Sequence, residues 1–451
     1  MAKFDFKTKL PFGEMFLVKS SEIEGRIDID FYRPNLTEIE KKILAKSKKR
    51  LKDFALSMGS GATPSTTNPE FYSDKNGIPL LRVQNLTLNS TVELNNLKYI
   101  TEDVHENMLK RSQVTDQDLL VKITGVGRMA VAAVPPKEFS GNVNQHIVVV
   151  RTGSREKSLY LANYLNLDVI EKLASRRVTG GTRPALDYPA LRSIPIIEDI
   201  DFSILENAKK QANQLKQQAK TLLNSINSYL LGELGITLPE TDNSLNSRMF
   251  TVKMSDVGGG AFDPFTQFNK HYRIEGGKYP NERLDNIAFL QKGQSITSDD
   301  IVSGDYPVIA GGQTSPYSHN VCNHKGNVIT VSASGAYSGY VWYHDYSIFA
   351  SDCTVIFSKD ENKLITEFLA EVLKVKQQEI YLLQKGAGQP HVYPNDLAKL
   401  NIPLPDKPTQ QKIIAHIQAI KAQATALQAE AEQLLNQAKA EIEQMILVDG
   451  E

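Results

Sequence analysis

The chain has 451 residues, a formal net charge of −1 and 41% hydrophobic residues. This length exceeds what one hydrophobic core usually organises, so two or more domains are expected. No apolar run approaches the roughly 20 residues that a membrane span needs, and the first residues do not resemble a signal sequence, so we expect a cytoplasmic protein.

Cysteine usage gives no indication of a disulfide framework or a metal centre. The two cysteines, Cys322 and Cys353, lack the spacing of a zinc site, although His319 and His324 flank Cys322. We therefore expect two reduced thiols, and neither a metal nor a cofactor bound by this chain.

A first globular module is expected at residues 51–200, after an N-terminal segment at residues 1–50. Runs of β-branched residues bounded by Gly, Pro or Asn predict its strands, and apolar residues at helical spacing predict one covering helix. The expected strands are 78–83, 119–123, 129–134 and 147–151, and the expected helix is 160–174.

A long amphipathic helix is predicted to follow at residues 201–236. Its apolar residues alternate spacings of three and four, which is the a/d seam of a coiled coil. The seam includes Leu205, Leu215, Leu222 and Ile226, with alanines between them.

The second half of the chain repeats this order. Residues 237–283 are predicted to be a linker and the start of the repeat, with Gly-Gly-Gly at 258–260 as a linker motif rather than a cofactor loop. A second module is expected at 284–405, with strands at 328–331, 339–343 and 353–357 and a helix at 365–381. A second long helix at 406–447 has a seam that includes Ile413, Ile420, Leu427 and Leu434 and that Met445 extends.

Short motifs support a duplication. Leu-Lys-Asp at 51–53 is echoed by Leu-Asp-Asn at 284–286, and Gly-Gly-Thr-Arg-Pro at 180–184 by Gly-Ala-Gly-Gln-Pro at 386–390. Asp-Ile-Asp-Phe at 28–31 has a weaker echo in Phe-Asp-Pro-Phe at 262–265. The sequence therefore predicts a mixed α/β fold, with two pseudo-repeated globular α/β domains separated by two long antiparallel coiled-coil helices.

The motifs of several enzyme classes are missing. An amino-methyltransferase needs an Asn/Asp-Pro-Pro-Phe/Tyr loop to hold a flipped base, which Asn-Pro-Glu-Phe at 68–71 and Asp-Pro-Phe at 263–265 only approach. There is no Walker phosphate loop, Gly-x-Ser-x-Gly elbow or His-Glu-x-x-His motif. We expect that the chain is not an enzyme by itself.

Charge is segregated along the chain despite the neutral sum. Basic residues cluster at 46–52, at 110–111, and at 176–177 together with Arg183, whereas acidic residues gather in the connectors and the last helix. Such segregation permits a basic cleft for nucleic acid on a nearly neutral protein.

Both modules contain loops of small and hydrogen-bonding residues, at 60–68, 124–128, 311–315 and 332–340. Glycines let a backbone approach a phosphate or a groove wall, and Arg or Gln side chains can read base edges. Taken singly, these loops are typical of ordinary turns. The candidate DNA-binding residues are Arg82, Gln84, Thr124, Arg128 and Arg183 in the first module, and Gln313, Ser334, Tyr337, Lys385 and Gln389 in the second.

The repeated frame as a whole resembles the specificity subunit of type I restriction-modification systems, which serve in phage defence. The Pro-Asp-Lys-Pro-Thr-Gln-Gln-Lys-Ile segment at 405–413 closely resembles the entry into that family's conserved helix, while the first junction, at 194–201, departs from this form. The resemblance covers almost the whole chain.

The resemblance implies two target recognition domains, each reading one half of a bipartite site in double-stranded DNA. It implies two helices whose length fixes the spacer between the half-sites. It also implies that two modification subunits, which bind S-adenosylmethionine and methylate adenine N6, dock on these helices, and that restriction subunits join the complex.

Two alternatives stay open at the level of the sequence. One is a coiled-coil scaffold whose modules bind proteins or other ligands, which would show little of the salt dependence that phosphate contacts impose on DNA binding. The other is a specificity subunit of a related system in which one polypeptide both modifies and cuts DNA.

Overall fold

The computed structural model describes residues 16–23, 26–74, 76–180, 183–239, 249, 251, 272–386 and 388–448. The chain forms two compact units, one of residues 1–215 with 429–451 and one of residues 216–428. The sequence motifs at 258–260 and 262–265 lie outside the described residues.

The first unit contains two sheets and a set of helices. Its strands are β1 (Ser57–Ser60), β2 (Tyr72–Ser73), β3 (Ile78–Leu81), β4 (Lys98–Ile100), β5 (Gln113–Thr115), β6 (Leu119–Lys122), β7 (Ala132–Ala133), β8 (Ser140–Val143) and β9 (Ile147–Arg151). A four-stranded antiparallel sheet has the order β1-β9-β6-β7, and a five-stranded sheet has the order β2-β4-β3-β8-β5, in which β3 and β8 are parallel. The helices are α1 (Pro34–Lys46), α2 (Arg155–Leu165), α3 (Asp168–Ser175), α4 (Tyr188–Arg192) and the first part of α5 (Ser203–Leu234).

The second unit also has nine described strands, but they form three sheets instead of two. Its strands are β10 (Asn281–Arg283), β11 (Ala288–Lys292), β12 (Tyr306–Ile309), β13 (Ser318–His319), β14 (Val328–Ser332), β15 (Val341–His344), β16 (Phe349–Ala350), β17 (Cys353–Ser358) and β18 (Asn401–Pro403). The sheet orders are β11-β17-β14-β15, β13-β12-β16 and β10-β18. The helices are α6 (Leu284–Ile287), α7 (Thr366–Val375), α8 (Gln377–Tyr381), α9 (Pro394–Leu397) and the first part of α10 (Lys407–Leu447).

The two four-stranded sheets have the same topology. Strands β1, β9, β6 and β7 of the first unit correspond in order and direction to β11, β17, β14 and β15 of the second. The parallel pair β3 and β8 likewise corresponds to the parallel pair β12 and β16. The mixed α/β duplication predicted from the sequence is therefore confirmed.

A glycine at the end of the first strand marks this correspondence. A Cβ on Gly61, which follows β1, would lie 1.7 Å from the carbonyl oxygen of Val143, and a Cβ on Gly293, which follows β11, would lie 2.0 Å from that of Ser351. Only glycine lets the backbones approach this closely. Gly61 and Gly293 thus have the same steric role in the two copies.

Some predicted elements have different bounds in the structure. The helix expected at 160–174 is split, because the buried Asn166 turns its side-chain amide to the backbone N–H and carbonyl of Ala132 instead of continuing the helix. The helix expected at 365–381 is split at the buried Lys376. The strand expected at 129–134 shrinks to β7, since Ala130 adopts a positive φ of 54°.

The two long helices pair antiparallel, as predicted. In the first unit, Leu205 and Ala212 from the start of α5 share a core cluster with Leu435 and Ile442 from the end of α10. In the second unit, the end of α5 packs against the start of α10, and the rings of Tyr229 and His416 lie 4.1 Å apart between centroids.

The seam drifts along α10. Its early positions are as predicted, with Ile413 fully buried, but near the C-terminus Leu434 is half-buried, Leu435 is buried and Met445 is 54% exposed. An α-helix has 3.6 residues per turn, so a strict heptad stripe moves by about 20° per heptad unless the helices supercoil. The buried stripe therefore continues through Ile442 and Ile446, and the predicted extension through Met445 is wrong.

A buried glutamine fixes the start of α10. Gln410 is fully buried; its amide nitrogen donates to the carbonyls of Lys363 and Pro405, each at 2.8 Å, and its oxygen accepts from the Ile365 N–H at 2.8 Å. A buried amide is stable only when its hydrogen bonds are made. The Gln at this place in the 405–413 motif thus attaches the long helix to the second unit.

Helix α1 is held by a carboxylate in a cluster of arginines. Glu40 is buried, accepts from the Arg177 guanidinium and lies 3.1 Å from that of Arg176 and 3.5 Å from that of Arg50. The pair at 176–177, expected among basic clusters that could bind nucleic acid, is therefore buried in an internal ion cluster.

No described helix has the length and apolar character needed to cross a membrane.

Replacing the central carboxylate should destabilise the first unit. Glu40→Ala leaves Arg176 and Arg177 buried without their compensating charge, so we expect a loss of about 3–5 kcal/mol in the free energy of unfolding. Glu38→Ala, an exposed position on the same helix, should change it by less than about 0.5 kcal/mol. Urea unfolding of both variants measures this difference, and equal stabilities would contradict the role given to Glu40.

The glycine contacts allow a second matched test. Gly61→Ala must displace the Val143 carbonyl and should cost more than about 2 kcal/mol of unfolding free energy. Gly59→Ala, two residues earlier on β1, meets no atom closer than 3.9 Å and should be nearly neutral. Thermal unfolding distinguishes the two, and a neutral Gly61→Ala would show that the close approach is not required.

Candidate nucleic-acid interface

Three loops in each unit place the candidate DNA-binding residues at corresponding positions. The first follows the parallel strand β3 or β12 and carries Arg82 and Gln84, or Gln313. The second connects β6 to β7 or β14 to β15 and carries Thr124 and Arg128, or Ser334 and Tyr337. The third is the Gly-x-x-x-Pro segment, which carries Arg183 in the first unit and Gln389 in the second, where Lys385 directly precedes it.

The second and third loops are joined by backbone hydrogen bonds in the first unit. The Gly125 N–H donates to the Pro184 carbonyl at 3.1 Å, and the Leu186 N–H donates to the Ile123 carbonyl at 2.8 Å. Gly180 has a φ of +88°, which favours glycine in the turn. The sequence-distant Gly-x-x-x-Pro motif therefore lies directly against the Thr124 loop.

The second unit repeats these bonds atom for atom. The Gly335 N–H donates to the Pro390 carbonyl at 3.1 Å, and the Val392 N–H donates to the Ala333 carbonyl at 3.0 Å. Gly386 has a φ of +105°. The two copies thus present different side chains from the same backbone frame.

A further turn, which was not among the predicted site residues, adjoins these loops. It precedes the inner strand β9 or β17 and contains His146 in the first unit and Asp352 in the second. The Ile123 N–H donates to the His146 carbonyl at 3.0 Å, as the Ala333 N–H does to the Asp352 carbonyl at 3.2 Å. A polar residue just before a β-branched run was the signal in the sequence, but it is too common to single out.

A chain of polar side chains runs across the first-unit surface. Thr63 donates to Gln145 at 2.5 Å, Gln145 lies 3.3 Å from His146 Nε2, and Arg183 lies 3.2 Å from the same nitrogen. Partial burial and the neighbouring Arg183 charge hold the pKa of His146 below its usual 6.5. A neutral imidazole can accept the Arg183 N–H at Nε2, so the exposed guanidinium is positioned by a side chain outside its own loop.

The second unit has a carboxylate, that of Asp352, in the corresponding turn. The Ser334 hydroxyl donates to Asp352 Oδ2, and a Cβ on Gly311 would lie 3.5 Å from the same oxygen. Burial, with the Asp352 charge beside it, raises the pKa of the Cys353 thiol to about 12. The thiol therefore stays protonated at neutral pH.

Two glutamines hold the loop that presents Tyr337. Gln377 donates to the Gly339 carbonyl at 2.7 Å, and Gln384 donates to the Ser338 carbonyl at 2.7 Å. The Tyr337 side chain is nevertheless 48% exposed. An aromatic ring on a fixed backbone is well suited to pack against a ligand because little conformational entropy is lost on binding.

Several predicted site residues are bound within the protein. Arg82 donates to the Asn96 carbonyl at 2.8 Å, Arg128 to the Asp168 carboxylate and to the Asn166 carbonyl, and Lys385 to Asp396 at 2.6 Å. Thr124 is half-buried. The exposed candidates are Gln84, Arg183, Gln313, Tyr337 and Gln389, with Lys385 exposed as well.

A positively charged groove lies beside β1 in the first unit. It has a volume of about 620 Å³ and is lined by Arg111, Arg151 and Arg192 together with Tyr188. Arg151 is paired with Asp118, whereas Arg111 and Arg192 are exposed. Two exposed guanidinium groups in one groove can bind a phosphate through charge-assisted hydrogen bonds.

The cysteine region shows no metal centre within the described ranges. No three His, Cys, Asp or Glu side chains there converge in a way that could hold a metal ion. His319, which flanks Cys322 in sequence, accepts a hydrogen bond from the Val302 N–H at 3.1 Å and packs its ring against Phe349. Cys322 and Cys353 are free thiols.

A family model for the type I restriction modification DNA specificity domain matches residues 278–437. The matched segment begins just before β10 and includes the second-unit sheets and most of α10. A comparison with curated proteins gave no match.

Three solved structures are similar to the chain. The S subunit of a type I restriction-modification system from M. genitalium has a TM-score of 0.42 and 11% identity, covering 89% of this chain and 96% of that one. A structure of complex assembly and conformational transition of the type I R-M system has a TM-score of 0.46 and 16% identity, with coverages of 89% and 97%. The HsdS subunit from Thermoanaerobacter tengcongensis has a TM-score of 0.33 and 15% identity, with coverages of 89% and 96%. At such TM-scores these likenesses add nothing to the match of the family model.

Substitutions at two arginines of the first unit should distinguish an effect on folding stability from an effect on DNA binding. Arg128→Ala removes two internal hydrogen bonds and should lower the free energy of unfolding by about 1–3 kcal/mol. Arg183→Ala removes an exposed side chain and should change stability by less than about 0.5 kcal/mol, but weaken binding to duplex DNA on the order of tenfold. Thermal unfolding and fluorescence anisotropy with labelled DNA measure both effects. The opposite pattern, or no loss of binding in Arg183→Ala, would remove Arg183 from the interface.

Proposed function

We propose that the whole chain is the DNA specificity subunit of a type I restriction-modification system. The proposal starts from the match of residues 278–437 to the family model of the type I restriction modification DNA specificity domain. Each unit reads one half of a bipartite site in double-stranded DNA, and the paired helices set the spacer. Two modification subunits that bind S-adenosylmethionine and methylate adenine N6 dock on the helices, and restriction subunits join the complex. This chain supplies recognition, and its partners supply the chemistry.

The observation that carries the proposal is the repeated sheet with unlike loops. The family model covers only the second copy, but the first unit has the same strand order and the same loop-to-loop hydrogen bonds. A frame that keeps its backbone bonds and changes its exposed side chains is expected of two readers with different half-sites. The groove with Arg111 and Arg192 supports contact with phosphates, which position a protein on DNA without reading sequence.

Helix length supports the role of a spacer. Helices α5 and α10 have 32 and 41 residues, on the order of 48 and 62 Å at 1.5 Å per residue. Both exceed one turn of B-DNA, about 34–36 Å. When two DNA-binding domains are joined by a rigid spacer, binding of one raises the effective concentration of the other. The complex gains affinity from this only if the two half-sites lie at the matching distance.

The outer faces of the helices support docking of partner subunits. Only one stripe of α5 is buried, and the remaining surface is polar except for exposed residues such as Leu223, which is 39% accessible. A two-helix pair with an unburied outer surface can accept further helices from a partner in the packing geometry of a four-helix bundle.

The test is modified-base sequencing of DNA from a methylation-free host. The host expresses this chain with the adenine methyltransferase subunit encoded beside it. We expect N6-methyladenine in a split motif with a fixed spacer. No new mark from a soluble, assembled complex would favour a scaffold instead, and a mark formed only with a fused modifying and cutting polypeptide would assign the chain to that related system.

Helix length should set the spacer directly. One heptad inserted after Leu215 and one after Gln428 lengthen both helices by about 10 Å, so the methylated motif should gain about 3 base pairs of spacer at 3.4 Å each and keep both half-sites. As a control, exposed residues of α5 that lie outside the coiled-coil seam are substituted without a change in helix length. This variant should keep the original spacer. An unchanged spacer in the lengthened chain would refute the spacer role.

A further inference from the structure

We infer that His146 and Asp352 occupy one base-reading position in the two copies, and that Asp352 accepts a hydrogen bond from the exocyclic amine of a cytosine or adenine in the second half-site. On the same reading, the Arg183 guanidinium beside His146 donates to a guanine in the first half-site. The inference rests on the proposed function and gives it chemical content.

Strand pairing establishes the correspondence. Ser60 pairs with Val148 on β9, and Lys292 pairs with Thr354 on β17, so that the glycine after each outer strand falls opposite the first residue of the inner strand. The carbonyls of His146 and Asp352, one residue earlier, accept equivalent backbone N–H groups. The turns differ by one residue, because Gln145 has no counterpart in the shorter turn between Ser351 and Cys353.

The chemistry of Asp352 favours a base over a phosphate. An ionised carboxylate only accepts hydrogen bonds, and a phosphate would be repelled by its charge. Ser334 occupies Oδ2, and no group in the described part of the chain donates to Oδ1. In the major groove, the donors are cytosine N4 and adenine N6.

The chemistry at the corresponding place in the first unit is the opposite. Arg183 is exposed and offers N–H donors, of which one is directed to His146. Guanine presents two acceptors, N7 and O6, in the major groove, and arginine is their commonest partner. The first unit therefore brings a donor to this place, from the loop whose second-unit counterpart carries Gln389, whereas the second unit has an acceptor there.

The Ser334 hydroxyl and the close approach of the Gly311 backbone hold Asp352 in place. Ser334 and Gly311 lie on two loops that follow different strands, and a Cβ on Gly311 would come within 2.6 Å of the Ser334 carbonyl. The carboxylate is thus set by the sheet rather than by a free loop. A base-reading group must be fixed in this way to discriminate between bases.

The test uses the assembled complex and the duplex identified by methylation mapping. At each cytosine or adenine of the second half-site, the base is replaced singly by its analogue without the exocyclic amine. One replacement should weaken binding by wild-type complex on the order of ten- to hundredfold, and the same replacement should have little effect on the Asp352→Ala complex, which lacks the acceptor. Glu282→Gln, an exposed carboxylate on β10, serves as a control and should behave as wild type.

The outcomes separate the two proposals. If every amine replacement affects wild type and Asp352→Ala equally, Asp352 does not read a base and the inference fails. If Asp352→Ala does not fold, His146→Gln gives the parallel test, with relaxed discrimination at one guanine of the first half-site only. Unchanged discrimination there overturns the inference. A wild-type complex that makes no split methylation motif would instead refute the proposed function.

Discussion

Hydrogen bonds between the backbones at the start of each inner strand determine where the candidate side chains of the second and third loops and of the adjoining turn lie. The N–H of Ile123 or Ala333 binds the carbonyl of His146 or Asp352, and the adjoining Gly-x-x-x-Pro segment is attached by two more bonds of the same kind. None of these bonds depends on a side chain. The side chains at these positions can therefore change without loss of the frame, which is the physical condition for one fold to bind two different ligands.

Close contacts away from the loops fix the strands and helices that carry this frame. Gly61 and Gly293 allow the outer strand to meet the turn before the inner strand, and Gln410 attaches α10 to the second unit through three buried hydrogen bonds. In the first unit, the ion cluster around Glu40 fixes helix α1. A reader that must hold half-sites at one distance needs such fixed attachments, since effective concentration falls when the geometry relaxes.

The sequence predicted the parts of the fold that repeat or that have a long period. Both long helices, the duplication and the loops that carry the candidate residues followed from patterns many residues long. Short-range patterns could not predict that Asn166 ends a helix by hydrogen bonding to Ala132. Nor could they predict that Glu40 pairs with the buried Arg176 and Arg177, which are far from it in the sequence. His146 and Asp352 were not predicted as site residues for the same reason. Their common position is set by the strand register between distant segments, and no local motif marks it.

Replacement of residues 284–405 by a second copy of residues 51–200 tests whether each unit reads its own half-site, and the methylated motif is the quantity measured. Both long helices are kept, and the variant is expressed with its methyltransferase partner in a methylation-free host. If each unit reads its own half-site, the motif should carry the first unit's half-site at both ends with the spacer unchanged. Persistence of the original second half-site, or no mark from a complex that still assembles, would contradict the account.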